Sequence, residues 1–310
     1  MGNVWDAIKR HQTEQRAKAG RTPQPPAAPA EKTPDGEAPA AGPPDPEQPR
    51  GVAAHVRAAV EKEAERPQRP RPEKPKVEAA PSPEGYDASL VVHCERGGRI
   101  SEEYRKLRET LLGHANGGKL CFMITSPRKG DGKSVTSANL ALVLSEISDR
   151  RIALVDFDMR QGTLGKLLNA PASPGMSELL RGEAKLPEVI QPTAHPNLFL
   201  IPAGTIVGDE AAEITGRGDL EGIVASLRRK YDYVLLDTPP INQCSEAKTL
   251  GRQVGDALLV VKMNSRRSSR DHVQDAIGHL HAANVDVTGV VLTHRTSGGR
   301  ADYPYRYSYS

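Results

Sequence analysis

The feature that most constrains the fold is the loop Ser126–Ser134, which joins an apolar run to a helical pattern. The loop reads Ser-Pro-Arg-Lys-Gly-Asp-Gly-Lys-Ser. Gly130 and Gly132 allow backbone N–H groups to turn inward around phosphate oxygens, because glycine has no Cβ to obstruct that turn. The helix that follows adds the positive end of its dipole. This order is typical of a phosphate-binding loop, although Pro127 stands where the usual loop has its first glycine.

The last two residues of the loop have side chains with predicted roles. Lys133 is expected to reach the β- and γ-phosphates of a nucleotide, and the Ser134 hydroxyl to take a position on magnesium. The residues expected to bind the nucleotide are Gly130, Asp131, Gly132, Lys133, Ser134 and Val135.

Short apolar runs alternate with helical patterns from about Leu90 onward. The runs read as buried strands over Leu120–Ser126, Ile152–Phe157, Leu198–Pro202, Tyr233–Asp237, Ala257–Lys262 and Val287–Thr293. The helices are expected over Ile100–Leu112 (with Ser101 as its cap), Lys133–Ile147, Asp219–Arg229, Glu246–Gln253 and Ser269–Ala282. This alternation predicts an α/β fold with a doubly wound, mostly parallel sheet and helices on both faces. Ligands bind beyond the carboxyl ends of strands in such sheets.

Acidic side chains end two of these runs. Asp156 and Asp158 follow one strand, with Arg160 two residues further on, and Asp237 ends another. A lone aspartate at a strand end is more often a helix cap or turn residue. Two such positions beside a phosphate loop instead favour magnesium and phosphate chemistry. We expect Ser134, Asp158 and Asp237 to organise the metal, with Asp158 in its outer sphere or in the phosphate network.

Composition separates the chain into three parts. Residues 1–86 hold 16 of the 26 prolines and bury too little apolar area to offset chain entropy, so a disordered Pro/Ala-rich leader is predicted. Within it, Val4–Arg16 has the pattern of a short helix, either a frayed start or a docking helix for a partner or a membrane surface. Residues 87–296 form the expected folded domain, and 297–310 a flexible tail.

Charge and cysteine content exclude several classes of protein. The net charge of +3 is too small to argue for nucleic-acid binding. Cys94, Cys121 and Cys244 are scattered without metal-ligand spacing, which fits a reducing cytoplasm better than a disulfide framework or a zinc site. No run is long and apolar enough to span a bilayer, and no secretory signal is evident. We therefore expect a cytoplasmic protein.

The tail carries four of the eight tyrosines in the chain, at alternate positions: Tyr303, Tyr305, Tyr307 and Tyr309. One interpretation is an edge strand, but Pro304 removes a backbone donor within the run. The other is a mobile tail that presents phenolic hydroxyls to an active site.

Together, the phosphate loop, the Asp156/Asp158/Arg160 strand, the Asp237 strand and the tyrosine tail resemble the bacterial tyrosine autokinases tied to exopolysaccharide synthesis. The resemblance covers about Leu90 to Ser310. It implies an ATP- and Mg²⁺-dependent protein-tyrosine kinase that phosphorylates its own tail tyrosines between the subunits of a ring. In this interpretation Tyr303, Tyr305, Tyr307 and Tyr309 are the phosphoacceptors.

The resemblance also implies partners and further residue roles. Glu102, Arg105 and Arg108 match the family's oligomerisation motif, although the same run reads by itself as a charged helix face. The expected partners are a separate transmembrane polysaccharide co-polymerase acting as activator and a phosphotyrosine phosphatase. The chain would then lie peripherally at the inner face of the cell membrane, through its partner.

Catalysis is expected to depend on Lys133, Asp156, Asp158, Arg160 and Asp237. Asp156 is the candidate for accepting or orienting the tyrosine proton, and Arg160 for contacting phosphate or the incoming tail.

Two other functions stay open at this point. The phosphate loop is shared with chromosome-partitioning and division-site ATPases, and Arg128 stands where partitioning ATPases have a signature lysine. A positioning ATPase of that kind has no use for clustered terminal tyrosines. The other alternative is an idle scaffold that binds ATP alone, which the complete set of catalytic positions disfavours.

Overall fold

The computed structural model describes residues 83–115, 118–263 and 270–294. The predicted leader up to residue 82 and the tail tyrosines lie outside the described residues. The sheet has seven strands in the order β3-β4-β2-β5-β1-β6-β7. They are β1 (Leu120–Thr125), β2 (Ile152–Asp156), β3 (Gln191–Pro192), β4 (Leu198–Ile201), β5 (Tyr233–Asp237), β6 (Asp256–Lys262) and β7 (Asp286–Thr293). All neighbours are parallel except β3, which pairs antiparallel with β4.

Ten helices surround this sheet in the described residues. They are α1 (Val91–Cys94), α2 (Arg99–His114), α3 (Lys133–Ser145), α4 (Leu164–Leu167), α5 (Met176–Arg181), α6 (Leu186–Val189), α7 (Ala211–Arg217), α8 (Leu220–Lys230), α9 (Ser245–Val254) and α10 (Arg270–Ala282). Short 3₁₀ turns lie at Pro83–Gly85 and Gly208–Glu210.

The sheet divides the core into two hydrophobic clusters, one on each face. Met123, Val155 and Leu236 belong to one cluster, whereas Ile124 and Leu154 belong to the other. Neighbouring residues of a strand point to opposite faces, so a strand covered on both sides needs a continuous apolar run. Helices α1 to α4 pack on one face, and the other face is covered mainly by α5 and α7 to α10. The doubly wound fold predicted from the sequence is therefore confirmed.

The predicted strands and long helices are present, with ends displaced by one or two residues. One local prediction is wrong: Ser101 does not cap α2, because that helix begins at Arg99 after Gly98. The Ser101 hydroxyl instead donates a hydrogen bond to the carbonyl of Glu95 (2.7 Å) and also lies 3.1 Å from the carbonyl oxygen of Val91. The short helices α4 to α7 and strand β3 were not predicted, since segments of two to seven residues carry little periodic signal.

The segment before α2 is fastened to the phosphate-loop helix by one buried side chain. Asn139 of α3 accepts a hydrogen bond from Val92 N (3.1 Å) and donates one to Ser89 O (3.1 Å). Tyr86, which the predicted domain boundary leaves outside, is 8% exposed and its ring lies 5.0 Å from that of His93. The packed structure therefore includes residues upstream of position 87.

Among the described residues, none of the helices combines the length and the apolar character that crossing a membrane requires.

Candidate nucleotide-binding site

The phosphate loop lies at the carboxyl end of β1 and leads directly into α3. Gly130 and Gly132 have φ values of +88° and +95°, in the left-handed region where side chains are strained. Hydrogen bonds hold the turn from within: Ser126 Oγ donates to Arg128 O (2.7 Å), and Arg128 N donates to Asp131 Oδ2 (3.2 Å). The Asp131 carboxylate therefore shapes the loop from a position that is only 2% exposed.

The last strand of the sheet also holds the loop. Thr293, at the end of β7, donates a hydrogen bond from Oγ1 to the carbonyl oxygen of Asp131 (2.7 Å). A Cβ placed on Gly132 would lie 3.4 Å from the Thr293 methyl group. The loop is thus fixed by contacts distant in sequence, and it presents a preorganised cradle of the kind that binds phosphate.

Four predicted side chains meet at the mouth of this loop. Lys133 Nζ lies 2.7 Å from Asp158 Oδ2, 3.9 Å from Asp237 Oδ2 and 3.2 Å from Ser134 Oγ. Asp158 is 2% exposed and Asp237 is fully buried. Burial acts against the Lys133 charge, but the carboxylates of Asp237 and Asp158 outweigh it, so the pKa of Lys133 is raised. The lysine stays cationic, as phosphate binding requires.

Asp156 lies beside this group because β2 and β5 pair in parallel with Asp156 opposite Asp237. Its two oxygens accept hydrogen bonds from Asp158 N (3.1 Å) and Leu164 N (2.8 Å). Complete burial, reinforced by repulsion from Asp237, raises the pKa of Asp156 to about 8. Burial likewise raises the pKa of Asp237, against the attraction of Lys133. In this conformation the Asp156 carboxylate therefore stabilises the turn after β2 by accepting hydrogen bonds from its backbone.

The carboxylates have unused capacity for a hard cation. Asp158 Oδ1 and Asp237 Oδ2 are buried oxygens without a hydrogen-bond partner in the described structure. Carboxylate and hydroxyl oxygens are the ligands that Mg²⁺ prefers, and Mg²⁺ is usually held jointly with substrate phosphates. Within the part of the chain that the structure describes, no cluster of three or more acidic, His or Cys side chains is arranged to hold a metal alone. The residues fit magnesium that arrives with a nucleotide.

Arg160 lies at the rim and is held by two carboxylates. Its Nε donates to Glu246 Oε1 (2.5 Å) and its Nη1 to Asp209 Oδ1 (3.0 Å). The Arg160 side chain is 29% exposed. The structure therefore places this predicted catalytic residue in an ion-pair network with Glu246 and Asp209, two residues along the chain from Asp158.

Three residues of the site were missed by sequence reasoning. Ser137 Oγ donates to Asp237 Oδ1 (3.0 Å), Thr293 holds the loop, and Glu246 holds Arg160. Ser137 lies one helical turn after Lys133, a spacing that would have placed it near the loop. Nothing in the sequence signals Thr293 or Glu246, because both act across the fold.

The predicted oligomerisation residues lie together on α2, where the arginines bind within the same chain. Arg105 Nη2 and Arg108 Nη1 each lie 2.7 Å from a carboxylate oxygen of Glu146, just after α3. Arg105 also pairs with Glu102, and Arg108 Nη1 donates to Val143 O (2.7 Å). The two helices are tied together by these bonds.

The fold and the loop define a class of protein, the phosphate-loop nucleotide-binding proteins. A profile of the family described as AAA domain matches residues 122–270. These residues include the loop, Lys133 and all three aspartates.

Comparison with known proteins narrows the class. The chain is 32% identical over 66% of its length to the putative tyrosine-protein kinase EpsB of Ralstonia nicotianae, of which it spans 28%. The solved BceF tyrosine kinase domain is 30% identical with a TM-score of 0.58, over 66% of this chain and 81% of that one. The kinase domain of Escherichia coli tyrosine kinase ETK is 26% identical with a TM-score of 0.63, and the match covers 78% of this chain and 89% of that domain. The chain belongs to the bacterial tyrosine kinase family.

Proposed function

We propose that this chain is an ATP- and Mg²⁺-dependent protein-tyrosine kinase that phosphorylates its own C-terminal tyrosine cluster. The observation that carries the proposal is the position of Lys133, bonded to Asp158 and close to Asp237 at the mouth of the phosphate loop. The kinase names of the relatives favour this function over a positioning ATPase.

The residues act mainly by positioning and by neutralising charge, which dominate phosphoryl transfer. Lys133 leaves Asp158 to bind the β- and γ-phosphates, and the loop N–H groups bind their remaining oxygens. Ser134, Asp158 and Asp237 would hold Mg²⁺, which would offset the negative charge of the phosphate oxygens. Ser137 fixes one oxygen of Asp237, so that the other, Oδ2, points toward Lys133.

The acceptor is a tail tyrosine of a second copy in a ring, and Asp156 is the candidate group for its proton. An unperturbed tyrosine has a pKa near 10, so a base must align the hydroxyl at neutral pH. Asp156 is the candidate because it lies opposite Asp237 at the carboxyl edge of the sheet, beside the predicted phosphate site. To reach the hydroxyl, Asp156 exchanges its hydrogen bond from Leu164 N for one from the tyrosine.

We further propose that the kinase acts in polysaccharide synthesis and export, at the inner face of the membrane. Its activator is a separate transmembrane co-polymerase, and a phosphotyrosine phosphatase reverses the modification. This part of the proposal follows from family membership.

Mapping of phosphotyrosine by mass spectrometry tests the proposal. The chain is incubated with Mg-ATP and the candidate activator, beside Lys133→Ala as the inactive variant. Lys185→Ala is the matched control, because Lys185 is exposed and lies outside the site. We expect phosphate on Tyr303 to Tyr309 in the parent and the control, and none in Lys133→Ala. Unmodified tyrosines in all three proteins, with activator present, would overturn the kinase assignment.

A further inference from the structure

Arg160 is held by two carboxylates that differ sharply in exposure. Glu246, in the first turn of α9, is 1% exposed, whereas the Asp209 side chain is fully exposed. The guanidinium therefore has one anchored end and one end at the surface.

The two ion pairs differ in how readily they exchange. An exposed pair between flexible side chains contributes little free energy, since water and salt screen it. Breaking a buried pair leaves a charge without compensation, which is costly. An anion that approaches the rim can thus replace Asp209 on Nη1 while Glu246 still holds Nε.

The anchored guanidinium adjoins the phosphate site. Arg160 follows Asp158 by two residues, and the turn between them is closed by hydrogen bonds from Gln161 N and Gly162 N to Asp158 O. Asp158 is itself bonded to Lys133, with Nζ 2.7 Å from Oδ2. The backbone turn therefore links the Arg160–Glu246 pair to the Lys133 cluster through Asp158.

We propose that Glu246 is a positioning residue that holds Arg160 toward the terminal phosphate of a bound nucleoside triphosphate, and that Asp209 occupies the phosphate position on Arg160 until the nucleotide binds. A planar guanidinium is suited to this role, because it binds phosphate oxygens through paired donors. The inference rests on the proposed function; it assigns a role to Glu246 of α9 and adds Asp209, from the Gly208–Glu210 turn, to the site.

The test compares two isosteric variants, Glu246→Gln and Asp209→Asn. Each removes one negative charge at one end of the same guanidinium. The measurement is the affinity for Mg-ADP and for a non-hydrolysable Mg-ATP analogue, by titration calorimetry. Loss of negative charge alone would tighten nucleotide binding in both variants. Weaker binding in one variant and tighter binding in the other therefore separates the positioning of Arg160 from a general effect of charge.

We expect Glu246→Gln to weaken binding of the triphosphate analogue by roughly tenfold, and Asp209→Asn to tighten it by about twofold to fivefold. Affinity for Mg-ADP should change by less than about twofold in either variant, since no terminal phosphate is present. Tighter triphosphate binding by both variants, or parallel changes for the two nucleotides, would overturn the inference.

A second variant and the binding of nucleotide by the parent chain distinguish failure of this inference from misfolding and from failure of the proposed function. If Glu246→Gln is unfolded at the assay temperature, Glu246→Asp replaces it, because the charge is kept but the carboxylate is drawn back from Arg160; weaker triphosphate binding is again expected. Failure of the parent chain to bind either nucleotide would instead refute the proposed function.

Discussion

Thr293 Oγ1 donates a 2.7 Å hydrogen bond to the carbonyl oxygen of Asp131, and so joins the last strand to the phosphate loop. A carbonyl left without this donor loses both orientation and a hydrogen bond. The end of β7 therefore helps to determine how well the loop is preorganised.

Replacement of Thr293 by Val tests this link, because valine has nearly the same shape but no hydroxyl. We expect nucleotide affinity to fall several-fold and the free energy of unfolding to fall by about 1 kcal/mol. Thr293→Ser keeps the hydroxyl and serves as the control. Equal nucleotide affinity in the Val and Ser variants would show that the bond is dispensable.

Asp158→Asn tests the competition between Asp158 and phosphate for Lys133. The amide no longer pairs with Lys133 as an ion, and it removes a negative charge near the phosphates. We expect Mg²⁺-free ADP to bind about threefold to tenfold more tightly, and the gain in affinity from Mg²⁺ to be largely lost. The comparison is a pair of titrations with and without Mg²⁺, with Asp149→Asn as an exposed control. Retained Mg²⁺ dependence would remove Asp158 from the metal site.

Glu178 predicts a pH-dependent contribution to stability. Burial opposes its ionisation, but hydrogen bonds from Thr205 and Gly175 outweigh burial and lower the pKa of Glu178 to about 2. A pKa lowered on folding stabilises the fold above the unfolded value, and this stabilisation is lost as pH falls through the folded value. Glu178→Gln should therefore cost about 1–2 kcal/mol at pH 7, and progressively less as the pH falls below about 4.5 toward 2.

Urea unfolding at pH 7 and near pH 3.5 measures this difference. The control is Glu183→Gln, an exposed residue just beyond α5 whose change should leave stability nearly constant at both pH values. A Glu178→Gln cost that does not shrink at low pH would mean that packing, rather than charge, accounts for it.

Glu146 tests the predicted assembly motif. It now binds Arg105 and Arg108 within the chain, so a subunit contact made by these arginines has to compete with it. If assembly uses the arginines, Glu146→Gln should increase the self-association constant by about fivefold. This is the effect expected when one competing, partly exposed ion pair is removed. Sedimentation velocity measures the shift, with Glu103→Gln as control, since Glu103 pairs only with Lys106 among the described ion pairs. Unchanged association in Glu146→Gln, together with normal association of an Arg105→Ala/Arg108→Ala variant, would place the subunit contact elsewhere.

Much of the fold was predictable because the strands are buried on both faces and read as short apolar runs between helical patterns. The position of Asp237 beside Asp156 followed from the same pattern, since carboxyl ends of parallel strands share one edge. The helix boundary near Ser101 was not predictable from its capping preference, because the hydroxyl finds partners on the preceding segment.

The sequence by itself determined the class of site: Gly130, Gly132, Lys133 and Ser134 are adjacent in the chain, so their spacing alone defines a phosphate loop. Only the tertiary structure decided what supports that loop. Thr293 reaches Asp131 from 162 positions away, and Glu246 reaches Arg160 from 86. Such contacts leave no local pattern, because they depend on how the completed sheet brings β7 and α9 to the same edge as β1 and β2.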